Sequence, residues 1–204
     1  MAGTEIRVER LAAIVLAAGA GSRLGGAKLS RPFCGGLLVD GAIRAALASP
    51  ARRIVMVTGS DPGLADRAAF LAEEAGRADA LILCECPGWR EGLSASLKSG
   101  IEVAGDIDAA LIFLGDMPFI PTGLAAELVQ AVAGREAKAA APIHLGRRGH
   151  PVLLTRALLD ELDSVVGDKG AGALLQGLGD QLALVPSHDP GVLADIDTPE
   201  DLKA

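Results

Sequence analysis

A chain of 204 residues is long enough for one domain, or for one domain with a small appendage, and half of its residues are hydrophobic. Aromatic residues make up only 2% of the chain and the formal net charge is −7, which argues against a surface that binds nucleic acid. No apolar run approaches the roughly 18 residues that a membrane-spanning helix needs. We therefore expect a single domain over 1–204, with its core at about 11–202 and an interior of Ala, Leu, Val and Ile.

Apolar runs typical of strands alternate along the chain with patterns typical of helices. The first four runs are almost continuously apolar, as expected for parallel strands that are covered on both faces. This alternation predicts an α/β fold of three layers. The predicted strands lie near 11–17, 53–58, 79–84, 108–114, 138–142, 151–155 and 181–186, and the predicted helices near 38–48, 63–75, 91–104, 122–134, 156–165 and 169–178.

The first predicted strand runs into a loop rich in glycine, LAAGAGSRLGGAK at 16–28. Glycine lets a backbone approach a ligand closely, and successive free N–H groups in such a loop form a concave site for anions. Arg23, Lys28 and Arg31 add positive charge, and 20–32 contains no acid. The loop therefore predicts a phosphate site, and one for a triphosphate more than for a carboxylate.

Three other interpretations of this loop fit less well. A Walker loop has a hydroxyl residue directly after its lysine, whereas Leu29 follows Lys28 here. The dinucleotide motif has its third glycine at the position that Leu24 occupies in this chain. A secretory signal peptide is also a poor match, because Glu5 and Glu9 lie in the segment that would be positively charged.

The chain contains three cysteines, Cys34, Cys84 and Cys86. An odd number in a chain of this size favours a reducing cytoplasm over a disulfide framework. We interpret Cys84 and Cys86 as buried, unreactive thiols near the end of a strand, and not as metal ligands.

A second candidate site follows the fourth predicted strand. Gly115 permits a turn there, and Pro118 and Pro121 prevent the strand from continuing, so Asp116 is expected at the carboxyl end of the strand. Ligands collect at that edge of such sheets, which places Asp116 on the same rim as the glycine-rich loop. Because Mg²⁺ takes one or two carboxylates together with phosphate oxygens, we interpret Asp116 as a magnesium ligand. By itself it could equally cap the turn or the following helix.

The chain closes on DIDTPEDL at 195–202. Thr198 as N-cap, with a proline at the first helical position, is typical of a helix start. Alternation predicts that Asp195 and Asp197 lie on one face of a strand. Two carboxylates that point the same way repel each other unless a cation lies between them, so we expect a second metal ligand here.

Taken together, these motifs resemble those of molybdenum cofactor cytidylyltransferases, within the wider MobA-like nucleotidyltransferase superfamily. The resemblance covers about 11–202 and implies a Rossmann-like fold with a mixed, mostly parallel sheet. It also implies CTP as substrate, Mg²⁺ as cofactor and a molybdopterin-type acceptor, and it leaves room for a recipient molybdoenzyme as partner. The motifs that carry it are the glycine-rich loop, GDMP at 115–118, EGLSASLKSG at 91–100, RRGHP at 147–151, GDKGA at 167–171 and the closing DIDTPEDL.

The resemblance implies roles for single residues. Arg23 and Lys28 would bind the triphosphate and steady the departing pyrophosphate, and with Asp116 they are the expected catalytic residues. Asp116 and Asp197 would hold the metal. The expected nucleotide-binding residues are Leu16, Ala17, Ala18, Gly19, Ala20, Gly21, Arg23, Lys28 and Ser94.

Arg148 and His150 would face the acceptor. His150, between Gly149 and Pro151, could equally be a structural side chain. Ser94 could equally belong to a capped amphipathic helix that has no ligand.

Two departures from the family pattern leave alternatives open. Ser30 and Arg31 interrupt a stretch that helps to separate cytidine from guanosine, so the base could be either, and Gly172 replaces an arginine of the family. Transfer to a sugar or alcohol phosphate is a further alternative. So is a factor that binds nucleotide or cofactor for molybdoenzyme maturation without turnover. A Rossmann-type oxidoreductase fits least well.

Overall fold

The computed structural model describes residues 6–19, 21, 26–167, 170–198 and 200–203. Its strands and helices follow the apolar runs of the sequence. The strands are β1 (Leu11–Leu16), β2 (Pro32–Phe33), β3 (Gly36–Leu37), β4 (Arg53–Thr58), β5 (Leu81–Glu85), β6 (Ala109–Leu114), β7 (Ala139–His144), β8 (Arg147–Arg148), β9 (Val152–Thr155) and β10 (Leu182–Pro186). The helices are α1 (Asp40–Leu47), α2 (Gly63–Glu74), α3 (Leu93–Ala104), α4 (Leu124–Val132), α5 (Arg156–Leu159) and α6 (Gly170–Leu174).

Over the described residues, one sheet runs in the order β10-β7-β9-β6-β1-β4-β5, and β8 pairs with β7. The strand β9 is antiparallel to both β6 and β7, and β8 is antiparallel to β7, whereas the other pairs in this sheet are parallel. The strands β2 and β3 form a separate hairpin. The expectation of a mixed, mostly parallel sheet is confirmed.

The alternating side chains of β1 divide between two hydrophobic clusters, one on each face of the sheet. Leu11, Ala13 and Val15 pack with residues of α1, α2 and α4. Ala12 and Ile14 pack with residues of α3, α5 and α6. Both faces of the central strand are therefore covered, as its continuous apolar sequence predicts, and the three-layer α/β fold is confirmed.

The seven predicted strands and the first four predicted helices lie within two residues of their predicted bounds. The last two helices are shorter than predicted. The helix expected at 156–165 is α5 followed by a 3-10 helix at Leu162–Ser164, and the one expected at 169–178 is reduced to α6. The sequence analysis missed β2, β3 and β8, because strands of two residues are too short to show a period.

The strand expected around Asp195 and Asp197 is wrong. Pro190–Leu193 form a 3-10 helix, and 194–197 pair with no strand. Proline at the first helical position favours that helix, and Asp189 caps it by accepting a hydrogen bond from the Gly191 N–H. Alternation still holds locally, since Ile196 is buried between the two aspartates.

The carboxyl ends of β1, β4 and β6 meet at one rim of the sheet. Leu16, the last residue of β1, pairs with Val57 and with Leu114. The Gly115 N–H donates to the Leu16 carbonyl, which ties the start of the β6 loop to the start of the glycine-rich loop. The loops that carry the predicted site residues therefore leave the sheet side by side.

No helix of the described residues is long and apolar enough to cross a membrane.

The prediction of buried thiols near a strand end is confirmed, because Cys84 lies in β5, Cys86 follows that strand and both are buried. Burial raises the pKa of the Cys84 thiol, which keeps it protonated. Cys34, at the β2–β3 turn, is exposed.

Candidate functional site

The glycine-rich loop folds back onto Lys28. The Gly26 N–H donates to the Gly21 carbonyl, and Gly21 has a φ of +59°. A Cβ atom at Gly21 would lie 2.3 Å from the Cβ of Lys28, so glycine is required both for the conformation and for the contact. Two residues predicted to bind nucleotide, Ala20 and Arg23, lie outside the described residues, and their roles stay predictions.

Lys28 brings together three distant segments of the chain. It starts a short 3-10 helix, Lys28–Ser30, and its side chain is 9% exposed. Its Nζ atom donates to Asp116 Oδ2 at 2.9 Å and to Asp197 Oδ1 at 2.7 Å. The two carboxylates predicted to hold a metal thus lie together, with the ammonium group of the chain between them.

The surroundings of Lys28 favour its protonated, charged form. Burial lowers the pKa of its ammonium group, but the hydrogen bonds to Asp197 and Asp116, with their negative charges, outweigh this effect. The pKa of Lys28 therefore lies above its ordinary value, and the group stays charged at neutral pH. This cation separates Asp116 from Asp197, and not Asp195 from Asp197 as the sequence predicts.

Both aspartates are positioned by their own backbone segments. Asp116 lies two residues after β6, and its carbonyl accepts a hydrogen bond from the Ile196 N–H. The N–H groups of Asp197 and Thr198 both donate to Asp201 Oδ2. The Asp201 N–H donates in return to Thr198 Oγ1, so the predicted cap at Thr198 is present, although the helix that follows is a 3-10 turn.

A cavity of about 210 Å³ opens between the glycine-rich loop and Asp116. A pocket for a whole ligand usually measures about 300–1,000 Å³, so a nucleoside triphosphate would extend beyond this one. Five of the residues predicted to bind nucleotide line it, and the predicted catalytic residue Asp116 lies on its wall. The lining is Leu16, Ala17, Gly19, Gly21, Lys28, Leu29, Leu93, Leu114 and Asp116.

The first turn of α3 lies beside this cavity. Leu93 begins the helix and lines the cavity, and Ser94, which follows it, is buried. The unpaired N–H groups at the start of a helix favour negative charge nearby. Ser94 itself is not among the residues that line the cavity, and neither is Ala18, which continues the buried end of β1.

The residues predicted to face the acceptor have different surroundings. Arg148 is exposed on β8 and donates from Nη1 to the Leu175 carbonyl at 3.3 Å. The His150 N–H donates to the Val192 carbonyl, and within the described residues its buried Nδ1 atom has no hydrogen-bond partner. Burial lowers the pKa of His150, opposed by a hydrogen bond with the backbone of Ile112 and by the charges of Asp116 and Asp195.

The loop after β4 also contacts the glycine-rich loop, and none of its residues was among the predicted site residues. The Ser60 N–H donates to the Ala18 carbonyl and its hydroxyl donates to the Gly19 carbonyl. Asp61 accepts a hydrogen bond from the hydroxyl of Ser30, one of the residues that depart from the family pattern. These polar residues directly follow a buried strand, which is the same signal that identified Asp116.

The donor groups fit a magnesium ion that is shared with a substrate. The described part of the chain holds no group of three or more His, Cys, Asp or Glu side chains that could bind a metal. Asp116 and Asp197 supply two carboxylates that already hold a cation between them. Mg²⁺ is commonly bound by one or two carboxylates together with substrate phosphates, and this pair meets that requirement.

Comparison with known proteins gives a consistent result. The family model described as the MobA-like NTP transferase domain matches residues 13–184. The molybdenum cofactor cytidylyltransferase of Escherichia coli (strain K12) is 29% identical over 189 residues, which cover 92% of this chain and 91% of that protein.

Two solved structures share the fold. A homologue of Mycobacterium tuberculosis Rv0371c, from Mycobacterium sp. strain JC1, is 27% identical with a TM-score of 0.75, over 97% of this chain and 95% of that one. The 4-diphosphocytidyl-2C-methyl-D-erythritol synthase of Anaerococcus prevotii DSM 20548 is 15% identical, with a TM-score of 0.72 over 97% and 95% of the two chains. At that identity the likeness concerns the fold alone.

Proposed function

Because the chain belongs to the MobA-like NTP transferase family, we propose that it transfers CMP from CTP to the phosphate group of a molybdopterin-type cofactor and releases pyrophosphate. Nucleotidyl transfer is the activity of the family. The choice of CTP and of the acceptor is supported by the relative that is a molybdenum cofactor cytidylyltransferase. The observation that carries the proposal is the meeting of Lys28, Asp116 and Asp197 beside the glycine-lined cavity.

The proposed reaction is an in-line displacement at phosphorus. A phosphate oxygen of the acceptor forms a bond to the α-phosphorus of CTP. The bond from that phosphorus to the oxygen bridging the α- and β-phosphates breaks, and its electron pair leaves with pyrophosphate. The second pKa of a phosphate monoester is about 6, so most of the acceptor phosphate carries no proton at neutral pH and needs no general base.

The residues of the chain would contribute position and charge. The backbone of Gly19 and Gly21 borders the cavity and would hold the phosphates closely. The ammonium group of Lys28, which lines the same cavity, would bind the triphosphate and stabilise the departing pyrophosphate. Arg23 is proposed to add a second cation, and Ser94 a contact at the start of α3.

Asp116 and Asp197 would hold a magnesium ion, which when bound supplies neutralisation of the phosphate charge. The two carboxylates come from different segments, and the hydrogen bond from the Ile196 N–H to the Asp116 carbonyl keeps those segments together. We expect Arg148 and His150 to contact the acceptor, and we include a recipient molybdoenzyme among the proposed partners. His150 would do so as a neutral ring, because burial lowers its pKa.

The proposal is tested by an assay of pyrophosphate release with CTP, GTP, ATP and UTP, each with and without molybdenum cofactor. We expect release only when CTP, Mg²⁺ and the cofactor are all present. Release with GTP in place of CTP would assign the other base, and release with a sugar phosphate would assign another acceptor. Tight nucleotide binding with no release under any condition would contradict the enzymatic proposal and favour a binding factor.

A further inference from the structure

The ammonium group of Lys28 lies between the two carboxylates that are proposed to hold a metal, those of Asp116 and Asp197. Its Nζ atom is within hydrogen-bond distance of one oxygen of each carboxylate, at 2.9 Å and 2.7 Å. The lysine side chain is 9% exposed, whereas those of Asp116 and Asp197 are 29% and 42% exposed. The cation is therefore enclosed, and the carboxylates are the parts of the triad that an incoming ion can reach.

A divalent ion and this ammonium group cannot share the two oxygens. Mg²⁺ binds oxygen ligands at about 2.0–2.1 Å, so an ion bound to the same two oxygens, Asp116 Oδ2 and Asp197 Oδ1, would lie close to Nζ. The two positive charges would repel each other strongly in a partly buried site. Metal binding through these two oxygens thus requires the ammonium group to move away.

A bound triphosphate would give the Lys28 ammonium group another negatively charged partner in place of the two carboxylates. The side chain of Lys28 lines the same cavity as Gly19 and Gly21, where phosphate groups are proposed to bind. Four rotatable methylene groups allow the ammonium to turn from the carboxylates towards a phosphate.

We propose that Lys28 blocks the Asp116–Asp197 pair against divalent metal ions until a triphosphate draws its ammonium group away. Metal and nucleotide would then bind cooperatively, because the nucleotide removes the Lys28 ammonium group from the carboxylates. This effect would add to any direct contact between metal and phosphate. Such coupling is reciprocal, so metal bound at the pair also strengthens nucleotide binding. The part that concerns the nucleotide rests on the proposed function, whereas the block itself is a property of the nucleotide-free protein.

The block is tested by titrating Mn²⁺ into nucleotide-free protein and following free Mn²⁺ by electron paramagnetic resonance. Lys28→Met removes the charge and keeps much of the side-chain volume, and we expect it to bind Mn²⁺ at least about fivefold more tightly than the wild type. Lys138→Met is the matched control. Lys138 directly precedes β7, which runs parallel to β6, so it lies at the amino ends of these strands, opposite the rim that carries the site. Its replacement changes the net charge by the same amount. Equal affinity in the wild type and Lys28→Met would overturn the proposal.

Crystals of the wild-type protein give a second test that needs no variant. With Mn²⁺ alone, we expect Nζ of Lys28 to remain between the two carboxylates and no metal to bind both of them. With Mn²⁺ and CTP, we expect Nζ to contact a phosphate oxygen. A metal bound to both aspartates without nucleotide would overturn the block. Absence of turnover with CTP would count against the proposed function alone, because neither metal measurement on the nucleotide-free protein depends on it.

Discussion

At the scale of single residues, Gly21 determines how closely the glycine-rich loop can approach Lys28. Its φ of +59° lies in the left-handed region, and a Cβ there would overlap the Lys28 side chain. At Gly19, two residues earlier, no heavy atom of the described residues other than its chain neighbours lies within 4 Å of the position its Cβ would take. The conformation and the contact with Lys28 thus require glycine at position 21, whereas neither of these reasons applies at position 19.

We expect Gly21→Ala to lower the free energy of unfolding by about 1–3 kcal/mol, because the new methyl group creates both strain and overlap. CTP binding should weaken as well, since Lys28 would be displaced. Gly19→Ala should cost clearly less stability. The measurement is urea unfolding of both variants, and equal losses would show that the contact with Lys28 does not constrain the loop.

Asp116→Asn tests the proposed metal ligand. The amide keeps the shape of the side chain but removes the charge, so we expect Mg²⁺-dependent turnover to fall by at least about a hundredfold. The fold should persist, because Asp116 is linked to the closing segment through its backbone carbonyl. Asp66→Asn, an exposed position on α2, removes the same charge elsewhere and should retain full activity. Full activity of Asp116→Asn would contradict the assignment.

These residues also show what the sequence can reveal. Placement at the carboxyl ends of buried strands predicts that the glycine-rich loop and Asp116 share one rim. Repulsion between Asp195 and Asp197 predicts a cation between those two acids, whereas the cation in the structure lies between Asp197 and Asp116. The identity of that cation in the nucleotide-free protein was missed. A sequence does not show how far a lysine side chain reaches, or that Lys28 lies between segments 88 and 169 residues away.

At the scale of elements, α1 and α2 are joined by one enclosed ion pair. Arg67 of α2 donates from Nε to Asp40 Oδ1 at 2.8 Å, and Asp40 Oδ2 accepts from the Leu37 N–H. Burial raises the pKa of Asp40, but the hydrogen bonds from Arg67 and from the Leu37 N–H outweigh it, so the pKa is lowered. The pair therefore links both helices to the β2–β3 hairpin.

Because the pKa of Asp40 is lower in the folded protein than in the unfolded chain, its ionised carboxylate stabilises the folded state. This stabilisation is present above the pKa of the unfolded chain, near 3.9, and is lost as the pH falls through the pKa of the folded protein. We expect Asp40→Asn to cost about 1–2 kcal/mol at neutral pH. Its deficit relative to the wild type should shrink below about pH 4. Chemical unfolding at a series of pH values measures this.

The control is Asp160→Asn, in an exposed pair between Asp160 and Arg156 of α5. Such surface pairs contribute about 0–1 kcal/mol, so this variant should differ little from the wild type at any pH. A deficit of Asp40→Asn that stays constant down to pH 3 would show that the lowered pKa of Asp40 is not the source of its stabilising effect.

The elements that the sequence predicted well are those whose residues are buried in a regular pattern. Long apolar strands and the helices α1 to α4 show such patterns. The segment 194–197 alternates in the same way, yet it forms no strand. The prediction failed here because an alternating sequence does not show whether a neighbouring strand is available for pairing. The Ile196 N–H instead donates to the carbonyl of Asp116.

At the scale of the whole molecule, the sheet order explains why the site forms where it does. The strand β1 lies between β6 and β4, so the loops after all three leave from one rim. The glycine-rich loop, Ser60 and Asp116 follow those strands in turn. In a chain with a formal net charge of −7, the ammonium group of Lys28 thus lies at this rim, paired with Asp116 and Asp197.

Transfer of a nucleotidyl group is tested most directly with CTP that is labelled at the α-phosphate. With Mg²⁺ and a molybdopterin-type acceptor, we expect the label to move into the acceptor product while an equal amount of pyrophosphate is released. Without acceptor, the label should remain in CTP. Label that stays in CTP with acceptor present, or that appears as free CMP whether or not acceptor is added, would contradict the account.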